Sequence, residues 1–271
     1  MTAVRTPESP RSPLFPKAKF TLVDHFDAPV CRNCSAGLTG PHCSACGQKR
    51  VRRLGLPDVS SLAWDNLRWF EGDLVRAAVR VSLMPGRVAR EYVAGARKKN
   101  IHPFKIFITG VALLLLTISQ TNYLSTNNST MSKALELVQS YSKWSFSLGI
   151  PAILIATMLS FWRAGFNSVE HLVLATYTHF AIILLSALSL TPLLIWSGPE
   201  MVKAHRALVS PWMTWIEAAV VAVAAIQFFG VQRLRDYWQP FVTAGLFIVA
   251  KKALVYLYAL AVIRIVLAQL R

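Results

Sequence analysis

The sequence predicts an all-α integral membrane protein: about five transmembrane helices, with a small N-terminal head and amphipathic interfacial helices. Three observations lead there. The 271 residues are 54% hydrophobic and only 15% charged, where a soluble domain carries about 25% charged residues. Apolar stretches near the roughly 20 residues needed to cross a bilayer recur from Phe104 onward. The net charge is +16, and 17 of the 29 Lys and Arg lie before residue 104, where the acids, 8 of 13, are outnumbered two to one. A basic front and an apolar back read as a cytoplasmic, membrane-apposed region followed by a membrane domain.

The head is defined by the four cysteines of the chain, Cys31-Arg-Asn-Cys34 and Cys43-Ser-Ala-Cys46. Two C-x-x-C pairs this close can each wrap one edge of a tetrahedral metal, and four thiolates close the coordination sphere. The expectation is one structural zinc ion on Cys31, Cys34, Cys43 and Cys46, with iron the weaker fit. Gly37 and Gly47 follow the pairs and suit turns at positive φ. The alternative is two disulfides or a redox pair, but a redox C-x-x-C belongs in a βαβ context that is absent here. No secretory leader precedes the cysteines, so a reducing compartment again favours metal.

Cys31-x-Asn33-Cys34, Gly40 and Cys43-x-x-Cys46-Gly47-Gln48 resemble a bacterial membrane-protein family of unknown function, number 3667. Pro85-Gly86, Arg90, Tyr92-Val93, Gly95 and Pro103 are similar to its pattern before the first membrane span. The resemblance implies a zinc-knuckle N-terminus followed by membrane helices, and no activity.

The elements follow in order. Residues 1–29, with Pro7, Pro10, Pro13 and Pro16, form a disordered tail. Residues 30–50 are the ribbon, too small for a core, so its folding free energy comes from the metal. The basic run Lys49-Arg50-Val51-Arg52-Arg53 suits anionic lipid. Residues 56–103 hold interfacial helices. Over 58–83, Trp64, Leu67, Phe70, Leu74, Ala78 and Val81 recur at helical spacing, with Arg68, Arg76 and Arg80 elsewhere on the wheel. Packing against the chain's own bundle is the equal alternative. Pro85-Gly86 breaks that pattern, and a short helix follows over about 87–95.

Residues 104–271 form the bundle, with spans near 104–122, 146–162, 171–196, 211–231 and 241–267 and a polar loop at 126–130. Pro192, Pro199 and Pro211 mark the end of the third span and the loop after it, while Trp196, Trp212 and Trp215 suit an aromatic belt. The basic front places the N-terminus in the cytoplasm. In the last span Lys251-Lys252 leaves two placements, one continuous helix or an interfacial piece over 241–252.

Charges inside the hydrocarbon need partners. Glu217 pairs with Lys251 or Lys252 across two antiparallel helices, or these groups form a proton or ion route. Glu170-His171 opens the third span and again resembles the family, although Tyr177 stands where the family tends to show a further histidine. Glu170 suits a helix N-terminus, where the dipole favours an anion. His171 and His179 lie about 12 Å apart along a helix and roughly 80° apart around it, so they cannot grip one ion unaided.

No phosphate-binding glycine loop, G-x-S-x-G or H-E-x-x-H occurs, and enzymatic activity is not expected. The leading function is an interaction and anchoring module in the inner membrane. Its partners are anionic lipid of the inner leaflet and a protein not named by the sequence, and homo-oligomers are left open. A transporter or channel built on the intramembrane groups is the first alternative. Membrane-tethered nucleic-acid binding by the ribbon is the weaker second one.

Overall fold

The computed structural model describes residues 23–56, 74–121, 143–196, 198–231, 236 and 238–269. Most of the expected tail, the 126–130 loop and residues 57–73 of the expected helix lie outside the described residues. The described chain is all-α apart from the ribbon. It runs through α1 (Val23–Asp27), the ribbon, α2 (Leu74–Leu83), α3 (Pro85–Val93), α4 (Pro103–Thr121), a 3₁₀ turn (Lys143–Leu148) and α5 (Gly149–Ser160). There follow α6 (Ser168–Leu190), α7 (Pro192–Ile195), α8 (Pro199–Phe229) and α9 (Trp238–Gln269).

Among the described residues, four helical stretches are long and apolar enough to cross a membrane: Pro103–Thr121, Ser168–Ile195, Pro199–Phe229 and Trp238–Ala268. Cross-contacts fix their directions. His171 meets Thr157, the Ser189 carbonyl meets His205, and Glu217 meets Lys251, so α5/α6, α6/α8 and α8/α9 run antiparallel. A Cβ on Gly110 would sit 2.7 Å from the Phe180 ring, and Leu114 and Ile118 of α4 pack with Ile183, Ala187 and Leu190 of α6. Here α4 and α6 run parallel, both away from the ribbon. The far end of α9 therefore lies opposite the ribbon.

Two expectations change, and one open alternative is decided. The expected second span is a shorter helix. The 12 residues of α5 rise about 18 Å, and the six-residue 3₁₀ turn before it adds about 12 Å. Pro199 and Pro211 do not mark a loop. Pro199 occupies the first turn of α8 and Pro211 lies inside it. A proline at the first helical position loses no hydrogen bond, and one inside a membrane helix is tolerated where neighbours compensate. Finally, α9 is continuous through Lys251-Lys252, because nothing after Gly245 breaks a helix and Lys251 has a partner.

Of the two short helices before the bundle, α3 is packed into it, whereas α2 buries Val81 and leaves Val75, Val79 and Leu83 exposed. The helix break expected at Pro85-Gly86 is present: α2 ends at Leu83, and Pro85 opens α3 in its first turn. Pro85, Gly86, Val88, Ala89, Tyr92 and Val93 are all buried. Met84 supplies no side-chain cap. The amides of Gly86 and Arg87 donate instead to the Gln227 side-chain oxygen of α8, at 3.1 and 3.4 Å. Tyr92 stands edge-on to both His102 and Tyr177. The Tyr177 hydroxyl donates to the Ile101 carbonyl, so the position that differs from the family's histidine pattern pins the entry to α4. One apolar core joins Val88, Ala89, Val93, Leu174, Phe180, Ala225 and Phe228.

Candidate metal centre and intramembrane polar cluster

The ribbon is a twofold repeat. Pro29-Val30-Cys31-Arg32-Asn33-Cys34 and Pro41-His42-Cys43-Ser44-Ala45-Cys46 fold alike, twelve residues apart. In the first half Cys31 N donates to Ala36 O and Ser35 N to Cys31 O. In the second, Cys43 N donates to Gln48 O and Gly47 N to Cys43 O. Antiparallel bridges Val30–Gly37 and His42–Lys49 complete each knuckle. The residue after each pair takes positive φ, Ser35 at 63° and Gly47 at 71°. The expectation for Gly37 is therefore corrected: the first turn falls two residues earlier, on Ser35, fixed by the position of Cys34.

The four sulfurs converge. Cys31–Cys46 and Cys34–Cys43 are each 3.6 Å apart, and all four lie within 4.8 Å of one another. Zinc bonded to sulfur at about 2.3 Å in a tetrahedron sets sulfurs about 3.8 Å apart, so the donor set fits one ion. None of the cysteines is in a disulfide. The Gln48 amide N–H draws Cys46 down to about 6, and the Cys46 amide lowers Cys43 below the usual thiol range. At Cys34 the Ala36 amide favours thiolate, yet bonding with the other three sulfurs pushes that thiol up to about 12. Clustered sulfurs resist ionising together without a cation. Such a metal would cross-link the two knuckles, with no open position for water.

The ribbon is clamped to the membrane domain. Gln48, buried, donates from its side-chain amide to Gly95 O at 2.9 Å and accepts from Arg97 N and Lys98 N at 3.0 and 2.9 Å. Asn33 accepts from Lys99 N at 2.9 Å. The motif residues beside the cysteines thus bind the backbone of 95–99. Gly95 has φ 105°, and a Cβ there would crowd Arg32 and Val51 at 2.9 Å.

Arg53 reaches farther. It donates to both carboxylate oxygens of Glu170 at 2.8 Å and to Gly165 O at 2.7 Å. Glu170 also accepts from Asn167 N at 2.8 Å, and Asn167 accepts in return from Glu170 N at 2.9 Å, forming a capping box at the start of α6. The position of the basic run 49–53 favours lipid over a solvated face or nucleic acid, but Arg53 is held by Glu170. Its partner lies 117 residues away, beyond any local pattern.

Deeper in the bundle, His171 Nδ1 is 3.1 Å from Thr157 Oγ1, and its ring lies among Phe166 and Phe229. His171 and His179 stay apart, as helix geometry requires. His179 is buried against Gly149, and neither ring nitrogen completes a hydrogen bond. Lys251 forms an ion pair with Glu217, whereas Lys252 is exposed on the other side of α9. His179, Glu217 and Lys251 line one cavity of about 250 Å³ with His205 and Ser210. Glu170 and His171 do not line it, and so do not join these groups in one route.

Residues 71–115 match a family model described as Protein of unknown function (DUF3667). This segment carries the DUF3667 signature. It covers α2, α3, the 95–99 backbone that receives the ribbon, and most of α4. The DUF3667 segment therefore holds the backbone that Gln48 and Asn33 of the ribbon grip. No curated protein and no solved structure matches the chain.

Proposed function

We propose that the protein is an inner-membrane docking platform whose metal-folded head faces the cytoplasm. The observation that supports this best is the clamp. Gln48, Asn33 and Arg53 fix the ribbon to the DUF3667 segment and to α6, so the head is held in one orientation. Its outward face, with His42, Ser44, Ala45, Lys49 and Arg50, remains exposed. A surface held rigid loses little entropy when a partner binds. Zinc suits the four-thiolate set, and its role here is structural rather than catalytic. The orientation rests on the 17 Lys and Arg before residue 104, since basic segments stay cytoplasmic. The test is crosslinking and pull-down from membranes. A protein captured by the wild type and lost in the Cys31→Ser/Cys34→Ser double variant, at equal membrane abundance, supports the platform. Equal capture by both removes the ribbon from the reading.

A second reading, passage of a small solute or proton, is favoured by one observation: the cavity that joins His179 to the Glu217–Lys251 pair. It requires flux in proteoliposomes that His179→Ala or Glu217→Gln abolishes.

A further inference from the structure

A second cavity, of about 260 Å³, lies between α4, α5 and α6 at the ribbon-side end of the spans. From Val169 to Thr176 of α6 it descends about 10 Å into the bundle, at 1.5 Å per residue. Phe104 and Phe107 of α4, Ile150 of α5 and Leu172 of α6 wall it. Phe104 is exposed, and Phe107, Ile150 and Leu172 are half-buried, so the cleft opens toward the surrounding lipid. No charged side chain lines it among the described residues.

Two hydrogen-bond donors stand at its ribbon-side end. His102 Nδ1 accepts from Phe104 N at 3.2 Å, so the proton of the neutral ring is on Nε2. Tyr92 stands edge-on to that ring, with centroids 5.8 Å apart. Both residues line the cleft, and they are only 8% and 2% exposed. Yet neither His102 Nε2 nor the Tyr92 hydroxyl makes a hydrogen bond among the described residues. Thr176, the other polar residue of the lining, already donates its hydroxyl proton to Leu172 O at 2.8 Å. Buried donors as a rule have acceptors. Two neighbouring donors without one, on a cleft open to lipid, point to a ligand that brings the acceptor.

We propose that this cleft binds the ring of a membrane-borne quinone, with His102 and Tyr92 donating to a ring carbonyl and the tail leaving past Phe104 and Leu172 into the lipid. A carbonyl oxygen has two lone pairs and can accept from both donors. The uncharged lining selects a neutral molecule over a fatty acid or a phospholipid headgroup. The volume equals about nine waters at roughly 30 Å³ each, which suits one substituted ring and is too small for a pair of acyl chains. The phenylalanine walls suit a flat ring. Such binding needs neither the outward face of the ribbon nor the His179 cavity.

The test is saturable binding of a radiolabelled decyl trimethyl benzoquinone to the full chain in detergent. Its fully substituted ring gives the cysteine thiolates no site for addition. Unlabelled quinone should displace it, and decylbenzene, which has the tail but no carbonyl, should not. Tyr92→Phe keeps the aromatic ring and removes one donor, so affinity should fall about fivefold, the worth of one neutral hydrogen bond. Leu172→Trp, which fills the cleft from its lipid side, should abolish binding; if that variant does not fold, Tyr92→Phe decides alone. A wild type without saturable binding overturns the site, as does a Tyr92→Phe variant that binds like the wild type. Displacement by decylbenzene as effective as by the quinone would mean a groove for any apolar chain, and overturns the quinone assignment. Tetramethyl benzoquinone bound as tightly as the tailed quinone would overturn the membrane-borne source.

Discussion

Arg53 and Glu170 meet face to face, Nε to Oε1 and Nη2 to Oε2, both at 2.8 Å. The carboxylate is fully buried and the guanidinium about a third exposed. This pair ties the segment leaving the ribbon to the first turn of α6. Glu170→Ala removes the ion pair and the capping box together. Breaking a buried pair by deleting one partner costs about 3–5 kcal/mol. Since Arg53 keeps access to water, about 3 kcal/mol is expected, read as a fall of roughly 6–12 °C in the unfolding midpoint. Glu170→Gln, which still accepts hydrogen bonds, should lose less.

Gly86 is where α3 crosses α8. A Cβ there would run into the Ala224 carbonyl group and come within 2.8 Å of Gln227 Cβ. The obstacle is largely backbone, which cannot swing aside. Gly86→Ala should therefore destabilise by at least about 2 kcal/mol. Thermal unfolding in detergent checks it, with Gly245→Ala as the neutral control because nothing lies within 4 Å of that position.

Glu217 and Lys251 neutralise each other inside the bundle. Either single neutralisation leaves a charge without its partner and costs about 3–5 kcal/mol. Folded yield of Glu217→Gln and of Lys251→Met should fall, and the exchanged pair Glu217→Lys/Lys251→Glu should recover much of it. Lys252→Met, on the exposed side of α9, should leave yield unchanged.

His102 caps α4. Its Nδ1 accepts from Phe104 N at 3.2 Å, so the ring is neutral, with its proton on Nε2. Burial holds its pKa down to about 4, with Arg97 adding to the effect. The unfolded chain takes up a proton near 6.5, the folded chain only near 4. Stability from this group is complete above about 6.5 and is lost as pH falls toward 4, by up to about 3 kcal/mol. His102→Asn, which can cap without titrating, should flatten the unfolding midpoint between pH 6.5 and 4.

Metal analysis of purified protein should find one zinc per chain. Chelation should expose the ribbon to protease, because its folding free energy comes from the ion. Helical content by circular dichroism should change little, since the bundle has its own core. Cys34→Ser should behave like the chelated protein.

The sequence alone determined the membrane class, the clustering of the four cysteines and the cap role of Glu170. Each is local: apolar length, C-x-x-C spacing, and an acid three residues into a helix. What the tertiary structure decided are the long-range pairings. Arg53 finds Glu170, Gln48 and Asn33 find the 95–99 backbone, and Lys251 rather than Lys252 takes Glu217. Adjacent lysines point about 100° apart on a helix, so only the placement of α8 selects between them. Pro199 and Pro211 read as loop signals because a proline's cost depends on what surrounds it. A first turn has no hydrogen bond to lose there, and packed neighbours compensate one deeper in the helix.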